Sequence, residues 1–155
     1  MPNDRKCVLC KGQSLFEVLI VIAISALIIV AIVSMTTNSI QNSTFAKNNA
    51  LASTYVQQAS EWLRGQRDSD TNTFITYAKT VGASNPGWCL KDLSWPAGTG
   101  LCASNDYIFG TIFIRQATFV VVPSNGKNLV TATISVSWKD SKGTHNVTST
   151  TYLSD

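Results

Sequence analysis

Glu17 lies inside a run of apolar residues, LFEVLIVIAISALIIVAIVSM, that extends from Leu15 to Met35. A carboxylate in such a run is costly in a lipid-like setting, so it marks either a paired charge or a side chain that reaches back to a headgroup layer. Its chemistry would be ion pairing, which requires a nearby cation. Cys7 and Cys10 form Cys-x-x-Cys, half of a zinc site or a redox pair, but no second cysteine pair lies on their side of the apolar run. Cys89 and Cys102 are the cysteines on the other side, and an even pair in an exported segment reads as a disulfide, with two free thiols as the alternative. His145 has no acid or nucleophile at a recognisable spacing and is expected at the surface. Asp68, Asp70, Asp92, Asp106 and Asp140 stand singly or in turn clusters, with Asp68 and Asp70 expected to solvate a loop, and no Gly-rich phosphate loop accompanies them. No enzyme, cofactor or metal site is expected.

Composition narrows the class further. Charged residues make up 14% of the 155, against about 25% in soluble globular proteins, while apolar residues reach 45%. That balance disfavours a cytosolic enzyme and excludes a disordered chain, whose signature is low hydrophobicity with high net charge. A net charge of +3, scattered along the sequence, makes no nucleic-acid-binding face.

The element that must position Glu17 is a helix. At ~1.5 Å per residue the run from Leu15 to Met35 spans about 30 Å, the thickness of a bilayer's hydrocarbon core. Arg5, Lys6 and Lys11 precede it and almost no charge follows, which places the amino terminus in the cytoplasm and exports the rest. A secretory signal peptide has an apolar region of only about 7–15 residues. A lipoprotein anchor needs its cysteine after that region, and Cys7 and Cys10 precede it.

The stretch Lys11-Gly12-Gln13-Ser14-Leu15-Phe16-Glu17-Val18-Leu19-Ile20 resembles the class III signal of type IV pilins and of the pseudopilins of type II secretion systems. The resemblance implies cleavage after Gly12 by a prepilin peptidase, methylation of the new amino terminus at Gln13, and retention of the apolar helix. Glu17 then falls at the fifth mature position, where the family's glutamate pairs with the amino terminus of a neighbouring subunit during assembly. Gln13 departs from the phenylalanine commonest at the first mature position. Cleavage would also discard Cys7 and Cys10 with the leader. The implied partners are other pilin subunits, the peptidase, the assembly machinery of the cytoplasmic membrane and membrane lipid before assembly, with an extracellular ligand open.

The remaining elements follow from periodicity. Neither Pro nor Gly interrupts the chain from Gln13 to Gly65. Leu51, Ala52, Tyr55, Val56, Ala59, Trp62 and Leu63 recur at spacings of three and four, the stripe of an amphipathic helix with Gly65 as its stop. Residues 65–106 read as an irregular connection with turn clusters RGQRDSDTNT, SNPGW and WPAGTG. Trp88 and Trp95 flank the cysteine loop, either as core or as binding anchors. In NLVTATISVSW, Val130, Ala132, Ile134, Val136 and Trp138 share one face of a strand, with Thr111 to Val122 before it and His145 to Leu153 after. Pro123-Ser124-Asn125-Gly126 supplies the first turn and residues 139–144 the second, giving three antiparallel strands.

The expected fold is α+β and pilin-like: a long amino-terminal transmembrane and spine helix packed on a small antiparallel β-sheet head. Its expected parts are a leader over 1–12, a helix over 13–64 that crosses the membrane at about 15–35 and is amphipathic at about 45–64, and an exported head over 65–155. The expected function is a structural subunit, minor pilin or pseudopilin, of a type IV pilus-like or type II secretion filament. The rival is a single-span anchored surface module, an adhesin or DNA-contacting protein, that never polymerises. A weaker rival is a soluble protein released by cleavage beyond Val33.

Overall fold

The computed structural model describes residues 10–80, 87–96, 98, 100–124 and 126–154, with side chains from Leu15 and without that of Ser124. It holds helix α1 (Cys10–Ser69), helix α2 (Thr71–Thr80), and strands β1 (Trp88–Cys89), β2 (Ile114–Ser124), β3 (Lys127–Asp140) and β4 (Gly143–Ser154). The chain divides into two compact units, Met1–Phe45 and Ala46–Asp155.

In the first unit, α1 is long and apolar enough to span a membrane, and none of its apolar window is covered by protein. Its hydroxyls are satisfied locally. Ser25 Oγ donates to the Val21 carbonyl at 2.7 Å, and Thr36 and Thr37 donate to the Ile32 and Val33 carbonyls at 2.9 Å each. Such back-bonding removes the cost of a polar group on an apolar helix without a second chain. Residues 36–44 have poor helix propensity, yet they stay helical.

In the second unit, the strands form one antiparallel sheet in the order β1-β2-β3-β4. The long strands are joined by two-residue turns, with Ser124 opposite Lys127 and Asp140 opposite Gly143. Gly126 has φ +80, the left-handed backbone that the expected Asn-Gly turn demands; Asn125 lies outside the described residues. β2 continues through Pro123, which stands opposite Asn128. Bonding alternates from the turn, so the amide that proline lacks would face away from β3, on the side where β1 covers only residues 116 and 117.

One face of β3 is fully buried: Val130, Ala132, Ile134, Val136 and Trp138 alternate with half-buried Thr131, Thr133, Ser135 and Ser137, as the period-two pattern requires. The same core includes Ala52, Val56, Ala59 and Leu63 of α1, whose two alanines leave room for close packing. Leu51, expected on this stripe, is exposed, because the buried face follows the spacing 52, 56, 59, 63.

Three expectations are corrected here. α1 runs through Gly65 to Ser69: a lone glycine costs about 1 kcal/mol in a helix but does not force an end. Residues 65–106 are not wholly irregular, because α2 and β1 form within them and β1 makes the sheet four-stranded. Asp68 and Asp70 are exposed but do not sit in a long loop: Asp68 lies in α1 and pairs with Arg67 at 2.7 Å, and Asp70, the single residue between the helices, caps α2 by accepting the Thr73 amide and hydroxyl.

A buried cation ties these pieces together. Arg115 on β2 is 2% exposed and donates from Nε to the Leu90 carbonyl at 2.9 Å, from Nη1 to Tyr55 and from Nη2 to Lys91 at 3.4 Å each. The Leu90 amide returns a bond to the Arg115 carbonyl at 2.9 Å, so the residue after Cys89 is held from both sides. Burial pulls the guanidinium's pKa below its ordinary value, partly offset by Tyr55 and Asp92. Hydrogen bonds from a charged donor contribute about 1.5–3 kcal/mol each, and removing the donor leaves carbonyls buried without a partner. Arg115→Met, which keeps most of the volume, is expected to lower the unfolding free energy of the full chain in detergent by about 3 kcal/mol. A loss under about 1 kcal/mol in denaturant titration would contradict this clamp.

Candidate functional site

The first unit presents one charged group on an otherwise apolar surface. Glu17 is the only charged residue between Lys11 and Lys47. On a helix its neighbours are three and four residues away, here Gln13, Ser14, Ile20 and Val21, none of them a cation. No ion pair among the described residues includes it, and its side chain is exposed. The apolar residues around it are exposed too: Leu15 is 68% exposed, Phe16 66% and Val18 54%. An ionised carboxylate only accepts hydrogen bonds, so the back-bonding that satisfies Ser25, Thr36 and Thr37 is not open to Glu17. The arrangement leaves the carboxylate open to a cation or a donor from outside the helix, or to a headgroup layer, with apolar side chains around it.

Gly12 and Gln13 are helical in backbone, and the Gln13 side chain lies outside the described residues. The same holds for Cys10, while Cys7 and the rest of the leader lie outside altogether. Glu17 is thus one turn from Gln13 along the same helix.

In the second unit Cys89 and Cys102 are joined as a disulfide, with Cα atoms 4.7 Å apart and a sequence separation of 13. A loop of that size contributes roughly 3 kcal/mol through the unfolded chain. Within it Leu93 takes a left-handed backbone, φ 48, uncommon for leucine. Gly87, just before β1, is needed for space: a Cβ there would run into the Ala117 carbonyl oxygen.

Trp88 and Trp95 belong to the core, which resolves the open choice between core and anchor. Trp95 stacks on Tyr77 at 4.5 Å and meets Trp62, Trp88, Phe74 and Phe119 at 5.0–6.3 Å between ring centres. Both indole N–H groups have partners: Trp88 donates to the Tyr77 carbonyl at 3.2 Å and Trp95 to Gln66 Oε1 at 3.1 Å.

His145 is half-buried where a surface residue was expected, against the Trp138 ring, with Nε2 3.0 Å from Asp140 Oδ1. The two-residue turn sets His145 opposite Trp138 and diagonal to Asp140, a pairing missed because spacing alone does not reveal a cross-strand neighbour. Among the described residues no group of three or more His, Cys, Asp or Glu side chains converges to hold a metal. Two further residues escaped the sequence reading. Arg115 looks like one polar residue in a strand, and Phe109, which no motif or period marks, is 93% exposed.

Comparison with protein-family models, with curated sequences and with solved structures returns no match for this chain.

The hairpin turn gives a pH prediction. Partial burial pushes the Asp140 carboxyl up, but bonds from His145 and from the Lys142 and Gly143 amides outweigh it and leave the pKa below its ordinary value. A depressed folded pKa means the stabilisation is complete above about 3.9 and is lost as pH falls through the lower folded value. The Lys142 amide, bonded to Asp140 Oδ1 at 2.7 Å, reports it. Its hydrogen-exchange protection, corrected for intrinsic rate, should hold from neutral pH to about 3.9 and fall only below it, and Asp140→Asn should remove the step. A step that persists in the Asn variant would contradict the assignment.

Proposed function

We propose that this chain is a structural subunit of a type IV pilus-like or type II secretion filament, of the minor pilin or pseudopilin kind. The observation that carries the reading is Glu17, a carboxylate with no cation three or four residues away on its helix, surrounded by exposed apolar side chains. The resemblance of residues 11–20 to the class III signal adds the cut after Gly12 and a partner for the acid. The amino terminus freed at Gln13, methylated, would be a cation at the same depth on a neighbouring copy. A buried carboxylate and ammonium are tolerated in an apolar setting as a pair and not singly.

In this reading the subunit waits in the cytoplasmic membrane with its apolar helix in lipid. Assembly replaces lipid contacts by helix–helix contacts, which alone carry little preference for one register, because lipid tails are as apolar as leucine. The Glu17 to Gln13 pair sets the axial register. Cleavage and docking are therefore coupled: with the leader uncut, the Gln13 ammonium that would pair with Glu17 does not exist. Prepilin peptidase, the assembly machinery and other subunits are the proposed partners, and the head, with its clamped disulfide loop, is the part displayed outside.

The same reading predicts a separation between insertion and assembly. Glu17→Ala should leave the amount of full chain in the membrane unchanged, since it makes the helix more apolar. Recovery in sheared filaments should drop by at least about tenfold, the loss expected when one partner of a desolvated ion pair is removed. Quantitative blots of membrane and sheared fractions read both quantities, and recovery at the level of the unsubstituted chain would remove the docking role from Glu17.

A further inference from the structure

The face of the sheet turned away from the core carries a groove at the end where β3 turns into β4. Strand register sets its floor: Ile114 stands opposite Ser137 on β3, and Lys139, two residues on, stands opposite Thr144 on β4. These positions alternate along their strands with buried Phe113, Arg115, Val136 and Trp138, so they face outward. Ser104, Asn105, Tyr107 and Ile112, from the loop before β2, form its wall. Its volume is about 320 Å³, at the lower end of the ~300–1,000 Å³ of small-molecule sites, so it suits a single ring. Every lining residue and both of its chain neighbours are among the described residues.

The wall is built before any ligand arrives. Ser104 and Asn105 occupy the centre of a turn in which the Asp106 amide donates to the Ala103 carbonyl at 3.1 Å, and the Ala103 amide donates to Asp106 Oδ2 at 2.8 Å. Beyond Tyr107 a second turn is closed by the Thr111 amide on the Ile108 carbonyl at 3.0 Å, with Gly110 at φ +71. The Ile108 amide donates to the Phe113 carbonyl at 2.8 Å and the Phe113 amide to the Thr111 hydroxyl at 3.1 Å, which ties the loop down just before β2. A backbone fixed in this way loses little freedom on binding.

The polar groups of the lining are uncommitted. The acids beside it in sequence are occupied: Asp106 accepts the Ala103 amide, and Asp140 holds His145 and the Lys142 amide. Among the described residues no hydrogen bond or ion pair uses the side chains of Ser104, Asn105, Tyr107, Ser137, Lys139 or Thr144. Lys139 is the one charged residue of the lining. A single ammonium matches a single carboxylate, whereas a phosphate calls for an Arg fork or a helix amino terminus, and the lining has neither. Tyr107, Ile112 and Ile114 offer apolar contact to one face of a ring, while the hydroxyls and the Asn105 amide both donate and accept, which suits a ligand bearing several hydroxyls.

We infer that this groove binds a carboxylated sugar ring, a uronate unit of an acidic glycan, with Lys139 on the carboxylate and Tyr107 against the ring. The groove lies wholly within the second unit, so the inference stands apart from the filament reading.

The test uses the full chain in detergent, with its disulfide intact, in ligand-detected NMR titrations. The probes are methyl glucuronoside and methyl galacturonoside, their neutral counterparts methyl glucoside and methyl galactoside, and acetate as a bare carboxylate. The expected result is saturable binding of at least one uronoside, with its neutral counterpart at least about tenfold weaker, the difference that one charge-assisted bond makes. Lys139→Gln should abolish that difference, and Tyr107→Ala should weaken the uronoside by at least about fivefold, both at unchanged melting temperature because both side chains are exposed. Acetate bound as tightly as the uronoside overturns the sugar assignment. Uronoside binding that neither variant moves overturns the site, and no saturation by either uronoside up to about 100 mM overturns the inference outright.

Discussion

A carboxylate on an apolar helix needs either a headgroup layer or a cation, and the sequence between Lys11 and Lys47 supplies no cation. That constraint orders the rest of the account. It explains why Ser25, Thr36 and Thr37 are unproblematic, since each spends its proton on its own helix, and why Glu17 is not. It also explains why the proposed cleavage and the proposed docking belong together: the charge that completes the site would be made by removing the leader.

The second unit solves a different problem, keeping a small head rigid with a limited core. Ala52 and Ala59 of α1 are buried in the same core as the sheet, and the rings of Trp62, Phe74, Tyr77, Trp88, Trp95 and Phe119 fill the space beside α2. Arg115 and the disulfide between Cys89 and Cys102 fix the same loop by independent means, one by backbone carbonyls and one by covalent closure. A head stiffened in this way can present the loop wall beside Lys139 without the entropy cost of ordering it on contact.

Much of this was legible in the residues because it rests on strict periods. The buried face of β3 follows alternation from Val130 to Trp138, and the Asn-Gly turn demands the backbone found at Gly126. The disulfide followed from two cysteines placed beyond the apolar run. What was not legible depends on neighbours distant in sequence. α2 hides in a threonine-rich segment whose apolar members, Phe74 and Ala78, are too few to signal a helix until the aromatic cluster packs on them. Arg115 is unremarkable until Tyr55, Leu90 and Lys91 converge on it, and no motif or period marks Phe109, which the fold leaves exposed. Glu17 was legible as an anomaly in one dimension, and its lack of a partner on the helix needed only the spacing of three and four.

The claim that matters most is that a new amino terminus at Gln13 exists to meet Glu17. Intact-mass and amino-terminal analysis of the protein from its native membrane addresses it directly. The account predicts a chain that begins at Gln13 and carries one added methyl group. A chain that keeps Met1 and the leader would leave Glu17 without its cation, and would favour an uncut single-span anchored module over a filament subunit.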